Sequence, residues 1–538
     1  QGSIEVTSGS APIVTDSIVR ESLNYGVYAQ AGAGTDAAPW FDRNQLTSNG
    51  RGPLSIGSDD VSTLGADLDM MGNGLDRVFV RGSTVSRTTS AWTNYGIPFY
   101  LSAGLTVRGG ATLSFEPGTE LRFNQNTRMQ VSVPSTGTDA GTLVAAGTPE
   151  APVSMVADVN PWNGVFIDDD AGEGTVLRDV RIEGFGSSSN GGLRVDSPAP
   201  VAMVEHCLLQ SSASGSTGVY ANGSAEIQSF ENNVIDVQGS SLNLPFRVFH
   251  DFLSASNRYE SPLRVRSGTA VGTVSWARPI STDGTTQPIR PSGNLTVDDG
   301  AFTIAAGTRI EMPLNGQLAT IDSQLIVEGT STDPVFFEPV SGADYWSRIQ
   351  LRGAGAAGPS RISHAVLVSA GGDPGQGAST SRAGIVVGPN SGSPALVSVT
   401  DTMIVDSNGY GMTFADGSHC EGMCTDNTII GARFSAVRIS ANFVGRFGAG
   451  NALTGNNTTG TLGHEGIWVN GDVIDTSAVW PANGVPYVVQ GNVELRQSYP
   501  LDPVPVMTVN PGAELRFAAG RRLRVGEGND GILEAQGT

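Results

Sequence analysis

Lysine is absent from the 538-residue chain, so arginine is its only fixed side-chain cation. That absence excludes Schiff-base chemistry, a lysine general base and lysine-to-asparagine cross-links. Charge of either sign is sparse, at 15 % of residues, and uneven: 52 acidic against 31 basic residues leave a net charge of −21. An acidic chain of this kind argues against nucleic acid and anionic membrane as main partners. Long apolar runs are missing too. LVAAG and GIVVG fall far short of the roughly 18 to 20 residues that span a bilayer, so no transmembrane segment is expected. Helical periodicity is almost absent and no βαβ spacing occurs. What the chain has in abundance is glycine, 71 residues, with 29 prolines and 39 % hydrophobic residues. It is too apolar for disorder and too rich in turn residues for a helical protein. Its length suits three or four compact domains or one extended repeat architecture.

Cysteine is scarce. Cys207 stands alone in HCLL, where a buried small hydrophobe is the plain reading. Cys420 and Cys424, in SHCEGMC, are expected to close a short disulfide loop, which fits an oxidising exterior. A zinc site with His419 is the weaker alternative, because no fourth ligand is evident. No charged and apolar leader opens the chain. Gln1, Gly2 and Ser3 look like the remnant of a cleaved tag, so the expectation is a fragment of a longer protein whose own signal peptide would be invisible.

Self-similarity at a long period is the strongest signal. GATLSFEPGTELRF at 110–123, GAFTIAAGTRIEM at 300–312 and GAELRFAAGRRLRV at 512–525 share a glycine, alternating apolar positions and a turn. GTLVAAGTPEAPV, SQLIVEGTSTDPV and GILEAQGT follow them in turn. Trp92, Trp276 and Trp480 precede the blocks at spacings of 184 and 204, and Trp162 and Trp346 are also 184 apart. The landmarks keep one order, so a unit of about 185 to 205 residues repeats nearly two and a half times. Within it run apolar segments of three to five residues, such as LTV, LRF, VFI and LRV. Strands this short are not stable as hairpins, but stacked coils pair each strand in parallel with its equivalent one turn later. The spacing of like segments, from LRV at 193 to VYA at 219 and VIDV at 234, predicts coils of about 20 to 25 residues. The fold class expected is all-β: a right-handed parallel β-helix.

The succession LTVRGGATLSFEPGTELRF, GTLVAAGTPEAPV, PWNG and VLRDVRIEG resembles the bacterial extracellular right-handed parallel β-helix repeat proteins, which share the pectin-lyase-like fold. The likeness runs from about 78 to 538. It is specific for fold and poor for activity, because that scaffold hosts polysaccharide-cleaving enzymes, phage tailspikes, adhesins and stalks. The expected organisation is an N-terminal cap or the tail of a preceding unit over 1–77, then units over 78–261, 262–465 and 466–538. In the first of these, SIVRESLNYGVYAQAG reads as a short capping helix or as the tail of a preceding unit, since an exposed end coil has to be covered. Further units are expected after 538.

Catalytic patterns are weak. The pectin-hydrolysing branch that the fold resembles would carry NTD, DD, GHG and R-x-K segments in order. Here the acidic runs at 168–170 and 298–299 and the GHEG at 463–466 are not in that order, and R-x-K cannot occur without lysine. A lyase needs a base and cations to stabilise an enolate. Arg178, Arg181 and Arg194 could share a face of one unit, as could Arg348, Arg352 and Arg361 in the next; solvated outward arginines are the plainer reading. His206, His250, His364, His419 and His464 show neither HxH nor HExxH spacing, so a catalytic zinc is not expected. No G-x-S-x-G elbow joins a strand to a helix. ADLDMMGNGLD offers Asp67, Asp69, Asn73 and Asp76 as calcium ligands, without the bidentate glutamate of an EF-hand, and turn aspartates are the plainer reading. Asn232, Asn233 and Asn427 read as turn asparagines that bond to an adjacent coil. The periodic tryptophans read as packing residues rather than sugar platforms. GGDPGQGASTSR at 371–382 has no equal in the first unit and is the best candidate for a binding loop.

These readings converge on a secreted or cell-surface bacterial β-helix, a rigid stalk or adhesin with a glycan-binding surface rather than an enzyme, and monomeric. Its partners would be glycans or another cell surface, and calcium is the one cofactor with candidate ligands. The rival is a polysaccharide lyase or glycoside hydrolase that uses Arg348 or Arg352; a trimeric phage tailspike is the third.

Overall fold

The computed structural model describes residues 2–537 except 11, 33–38, 134–139, 169–173, 187–190, 197–202, 224, 354–357, 423, 458–464 and 500–501. The chain is an all-β parallel β-solenoid with about 4 % helix. Its coils are about 27 residues apart, longer than the spacing expected from the sequence. The difference lies in the corners. Val78 pairs with Phe99 after 21 residues, whereas Ile349 pairs with Ile385 after 36. Of the three segments used to set that spacing, Leu193–Val195 does stack on Thr217–Ala221, but Val234–Val237 belongs to another sheet and stacks on Leu208–Ser211.

The structure divides into two compact units, one of Gln1–Arg264 with Pro279–Gln287, the other of Val265–Arg278 with Pro288–Thr538. In unit 1 an eleven-stranded sheet begins with Gly2–Val6, Tyr25–Ala29, Gly52–Gly57 and Val78–Arg81 and ends at Arg258–Tyr259. Alternation decides which residues face in. Leu54, Val78, Phe99, Leu121, Met155, Ile182, Leu209 and Ile235 stack coil upon coil and are all fully buried. Their sequence neighbours Ser55, Phe79, Tyr100, Arg122, Val156, Glu183, Gln210 and Asp236 form the outward column of the same strands. In unit 2 a ten-stranded sheet runs from Gly268–Val271 to Leu515–Phe517, through Arg348–Arg352, Ala383–Gly388, Tyr410–Phe414, Val437–Ser440 and Ile467–Asn470.

One corner type recurs in both units, where a single left-handed residue turns the chain between two strands. Asp179, His206 and Asn232 (φ 50, 53 and 57°) occupy it in unit 1, and His364, Asp401 and Asp426 (φ 47, 51 and 60°) in unit 2. Short polar side chains tolerate this backbone region best. The corner N–H groups bond the next coil: that of His206 donates to the Glu231 carbonyl and that of His364 to the Thr400 carbonyl, each at 3.1 Å. Both histidines are thus corner residues.

Of the two readings of the N-terminal segment, the capping helix is not formed. Its residues build strands Ile18–Arg20 and Tyr25–Ala29, which take their places in unit 1. VTDSIVRESLNYGVY at 14–28 matches VTDTMIVDSNGYGMT at 399–413, and its left-handed residues Asp16 and Glu21 correspond to Asp401 and Asp406. The period-setting tryptophans are interior: Trp92, Trp276 and Trp480 are buried against Phe115, Phe302 and Tyr487. Trp162 and Trp346 repeat a bond as well as a position, donating from Nε1 to the carbonyls of Glu183 (2.9 Å) and Val368 (2.8 Å).

Candidate functional site

The outward face of the eleven-stranded sheet in unit 1 carries a ladder of aromatic rings, of which Tyr25 and Phe79 are largely buried and Tyr28 and Tyr100 partly exposed. Gly52 lies between Tyr25 and the coil of Phe79, and a Cβ there would stand 2.8 Å from the Phe79 ring. That vacancy lets Phe79 lean over the strand and meet Tyr25 edge to face at 5.0 Å. Tyr100 continues the ladder, 5.5 Å from Phe79. Arginines cover the rings. Arg51 lies over Tyr25 (5.1 Å) and Phe79 (5.7 Å), Arg77 over Phe79 (5.2 Å) and Tyr100 (4.5 Å), and Arg81 over Tyr28 (4.0 Å). Two of the three are tied down: Arg77 donates to Asp158 at 3.1 Å, and Arg81 donates to the Tyr28 hydroxyl at 2.9 Å. Arg51 is exposed, and among the described residues no carboxylate pairs with it. Cation–π stacking holds a guanidinium in place without neutralising it, so its N–H edges remain able to donate to an anion.

A second outward face of unit 1 carries carboxylates. Phe166, Arg194 and Tyr220 are directly stacked, and Arg194 lies 5.4 Å from Phe166 and 5.7 Å from Tyr220. One step past each strand, Asp168, Asp196 and Asn222 form the adjoining column. Gln130 Nε2 donates to Asp168 at 2.5 Å, Arg194 Nε donates to Asp196 at 2.6 Å, and the Asn222 N–H donates to Asp196 at 3.1 Å. Burial, opposed by the Gln130 hydrogen bond and reinforced by the charge of Asp196, pushes the Asp168 carboxyl above its ordinary range. The rest of that acidic run, residues 169 and 170, lies outside the described residues.

The arginine triads that could have shared a face do not. Arg178, Arg181 and Arg194 sit on three different sheets, because each turn of the coil changes face between them. Arg348 and Arg352 share the strand Arg348–Arg352, but Arg361 belongs to the neighbouring six-stranded sheet. Arg348 donates to the Ser381 carbonyl at 2.8 Å and is partly buried beneath the 371–382 segment.

Cys420 and Cys424 form a disulfide, and both are buried. His419 turns away from the pair, stacking on Phe443 at 4.4 Å and bonding the Gly417 carbonyl through Nδ1. Cys207 is buried, and burial pushes its thiol up to about 12, which keeps it protonated and unreactive. His250 contacts Asp251 at 3.2 Å, and Asp299 is a left-handed turn residue. His464 and the preceding Gly463 lie outside the described residues, while Glu465 of the same segment accepts the Asn456 N–H at 2.9 Å.

In the candidate calcium loop the oxygens are largely engaged. Asn73 Oδ1 accepts from the Asn49 backbone N–H (3.1 Å) and Nδ2 (2.9 Å), and the Asp76 carboxylate accepts the N–H groups of Gly72 and Asn73. Asp69 accepts from Met71 N–H and Gln45 Nε2, while Asp67 lines an open groove with Asp16, Arg43 and Asp69. Among the described residues no three His, Cys, Asp or Glu side chains gather as a metal-ligand group.

Sequence patterns alone did not isolate Tyr25, Arg51, Phe79 or the Asp168–Asp196 pair. The signal for the first set is the match between residues 14–28 and 399–413, which puts Tyr25 in register with Tyr410. No protein-family model matches the chain, and no curated protein matches it.

Proposed function

We propose that the chain is part of a secreted or cell-surface bacterial β-helix of the pectin-lyase-like kind, a non-catalytic stalk or adhesin that binds acidic glycan. The observation that carries this reading is Arg51, exposed, stacked on Tyr25 and Phe79 and unpaired with any described carboxylate. A sugar acid offers an oxyanion to such an edge and apolar C–H groups to the partly exposed rings of Tyr28 and Tyr100 on the same face. In a chain with net charge −21, a local cationic face also selects among anions by short-range geometry rather than by long-range attraction. The test is titration with uronic-acid, sulfated and neutral oligosaccharides of equal length. Salt-sensitive binding of the acidic ones, weakened about tenfold in Arg51→Gln, is expected; equal affinity for the neutral oligomer ends the reading.

The hydrolytic rival draws support from Asp168 and Asp196. Adjacent coils stand about 4.8 Å apart, and carboxyls at roughly 5 Å suit a retaining glycosidase. Asp168 would be the acid, and Asp196, held by Arg194, the nucleophile. Release of reducing ends from a glycan panel, lost in both Asp168→Asn and Asp196→Asn, would replace the non-catalytic reading with this one.

A further inference from the structure

Unit 2 repeats the aromatic corner of unit 1. Tyr410 and Trp468 stand where Tyr25 and Phe79 stand, 385 and 389 residues further on. Their rings meet edge to face at 6.5 Å, and Phe434 adds a third ring 5.3 Å from Tyr410. Guanidiniums again converge. Arg438 lies 5.9 Å over Tyr410, and Arg382 and Arg433 lie 5.7 and 5.6 Å over Phe434. Arg348 comes from the adjoining strand, one residue before the Ile349 and Ile385 pairing.

The difference between the two corners is the segment 371–382, which crosses this one. Arg382 anchors it from below, donating to the carbonyls of Gly371, Asp373, Gln376, Gly377 and Asn408. The Ser381 carbonyl accepts from Arg348, and the Thr380 carbonyl from the Thr413 hydroxyl, both at 2.8 Å. Residues 374–378 are exposed above these attachments.

A guanidinium withdrawn from water needs a counter-ion or a full set of acceptors. Among the described residues Arg348, Arg382 and Arg438 form no ion pair; carbonyls and the Asn470 amide oxygen serve them instead. Arg348 Nε is buried with no partner at all. Burial lowers the proton affinity of Arg348 and of Arg382, and for Arg382 repulsion from Arg433 adds to it, against the opposing charge of Asp373. Neutral oxygens satisfy most of these hydrogen bonds, though not that of Arg348 Nε, and leave the accumulated positive charge.

We propose that this corner is an oxyanion-binding site for an acidic saccharide, and that residues 371–381 are a strap which the bound carboxylate or sulfate ester displaces. The inference rests on the glycan-binding reading and adds to it a second site with its own cover. The anion takes the N–H donors that the strap carbonyls occupy, and lifting the strap opens the buried rings of Tyr410 and Phe434, beside the partly exposed Trp468, to the sugar ring. No covalent step is involved.

The experiment uses the full chain with a hexuronate oligomer, a sulfated oligosaccharide and a neutral oligomer, read by tryptophan fluorescence and by amide hydrogen exchange. Binding of either acidic oligomer is expected to change the fluorescence, with the change lost in Trp468→Phe; comparing the two assigns carboxylate or sulfate. Saturation should speed exchange over 373–381 and slow it over 467–470. Replacing 373–380 by two glycines should tighten binding at least tenfold, and Arg438→Gln should weaken it about tenfold at unchanged Tm, the worth of one charge-assisted hydrogen bond. Unaltered exchange over 373–381 at saturation overturns the proposal even if the shortened variant does not fold. So does a folded shortened variant with no gain in affinity. If Arg51→Gln abolishes binding and the Trp468 response together, this site falls while the unit 1 site stands; if no acidic oligomer binds at all, both fall.

Discussion

Asn427 donates to Oδ1 of Asn451, one coil further on, through both its backbone N–H (3.1 Å) and its Nδ2 (3.0 Å). Asn427 also donates from Nδ2 to the Val399 carbonyl at 2.8 Å and accepts the Thr402 N–H at 3.1 Å. One fully buried side chain thereby joins three coils. Unit 1 repeats the arrangement with Asn233, which accepts the Cys207 N–H, donates to the Val204 carbonyl and bonds Asn257. Because the corner turns sharply at Asp426, the backbone groups beside it cannot find sheet partners, and the amide supplies them.

Asn427→Ala is therefore expected to be among the costly single substitutions. It strands the Thr402 N–H and the Val399 carbonyl inside the solenoid, at about 1 to 3 kcal/mol for each buried group left unmade. Asn427→Asp should be worse at neutral pH, since a carboxylate oxygen would face the Val399 carbonyl where a donor now sits. Urea-unfolding midpoints check both; an aspartate variant as stable as the alanine one would contradict the donor role of Nδ2.

The parallel coils were legible in the sequence because inward residues alternate with outward ones, and because the bulky interior tryptophans return at fixed intervals. The number of residues per coil was not, since a corner can absorb a long insertion such as 371–382 without disturbing the strands on either side. Face assignment failed for a related reason. Arg178, Arg181 and Arg194 are close in sequence, but a solenoid changes face every few residues, so neighbours in the chain part company. Residues that do meet, such as Tyr25, Arg51 and Phe79, are one coil apart each time, and nothing local in the sequence joins them. Asn233 and Asn427 were recognisable as bonds between coils; Asn257 and Asn451, their partners, were not, because no repeated motif marks them.

Asp168 makes stability depend on pH in a definite direction. Burial is the largest cause of its raised pKa, so the folded state holds this proton more tightly than the unfolded chain, whose ordinary value is 3.8. Its ionised form costs stability at neutral pH, and that cost disappears as the pH falls below 3.8. Asp168→Asn keeps an oxygen for Gln130 and removes the charge. Its Tm should exceed that of the unsubstituted protein at pH 7, and the two should converge near pH 3, as scanning calorimetry at both pH values would reveal. A gain of equal size at both would mean that the effect comes from packing.

Calcium removal should leave the melting temperature where it is. Asn73 Oδ1 and the Asp76 carboxylate already receive backbone and amide donors, and a cation would have to displace those bonds to reach the same oxygens. Thermal unfolding with and without a chelator is the measurement; a fall of several degrees on chelation, reversed by added calcium, would place a metal among Asp67, Asp69, Asn73 and Asp76 after all.

The disulfide and the asparagine ladder are joined at Cys424. Cys420 continues the strand His419–Cys420, whose pairing runs from Leu396 and Val397, and the Cys424 carbonyl accepts from Asn451 Nδ2 at 3.0 Å. A bridge over so few residues constrains the unfolded chain only modestly, about 2 kcal/mol by the loop-entropy relation. Its larger effect should be positional, holding the Cys424 carbonyl where Asn451 can reach it. The Cys420→Ser and Cys424→Ser pair should lower stability by about that amount, and Asn451→Ala by somewhat more, since the amide also serves the Gly448 carbonyl and the Asn427 donors. If the bridge positions that carbonyl, the combined variant loses less than the separate losses added together, with a coupling of about 0.5 kcal/mol or more. Strict additivity in urea unfolding would show that the strand pairing alone holds Cys424, and that the bridge acts on the unfolded chain only.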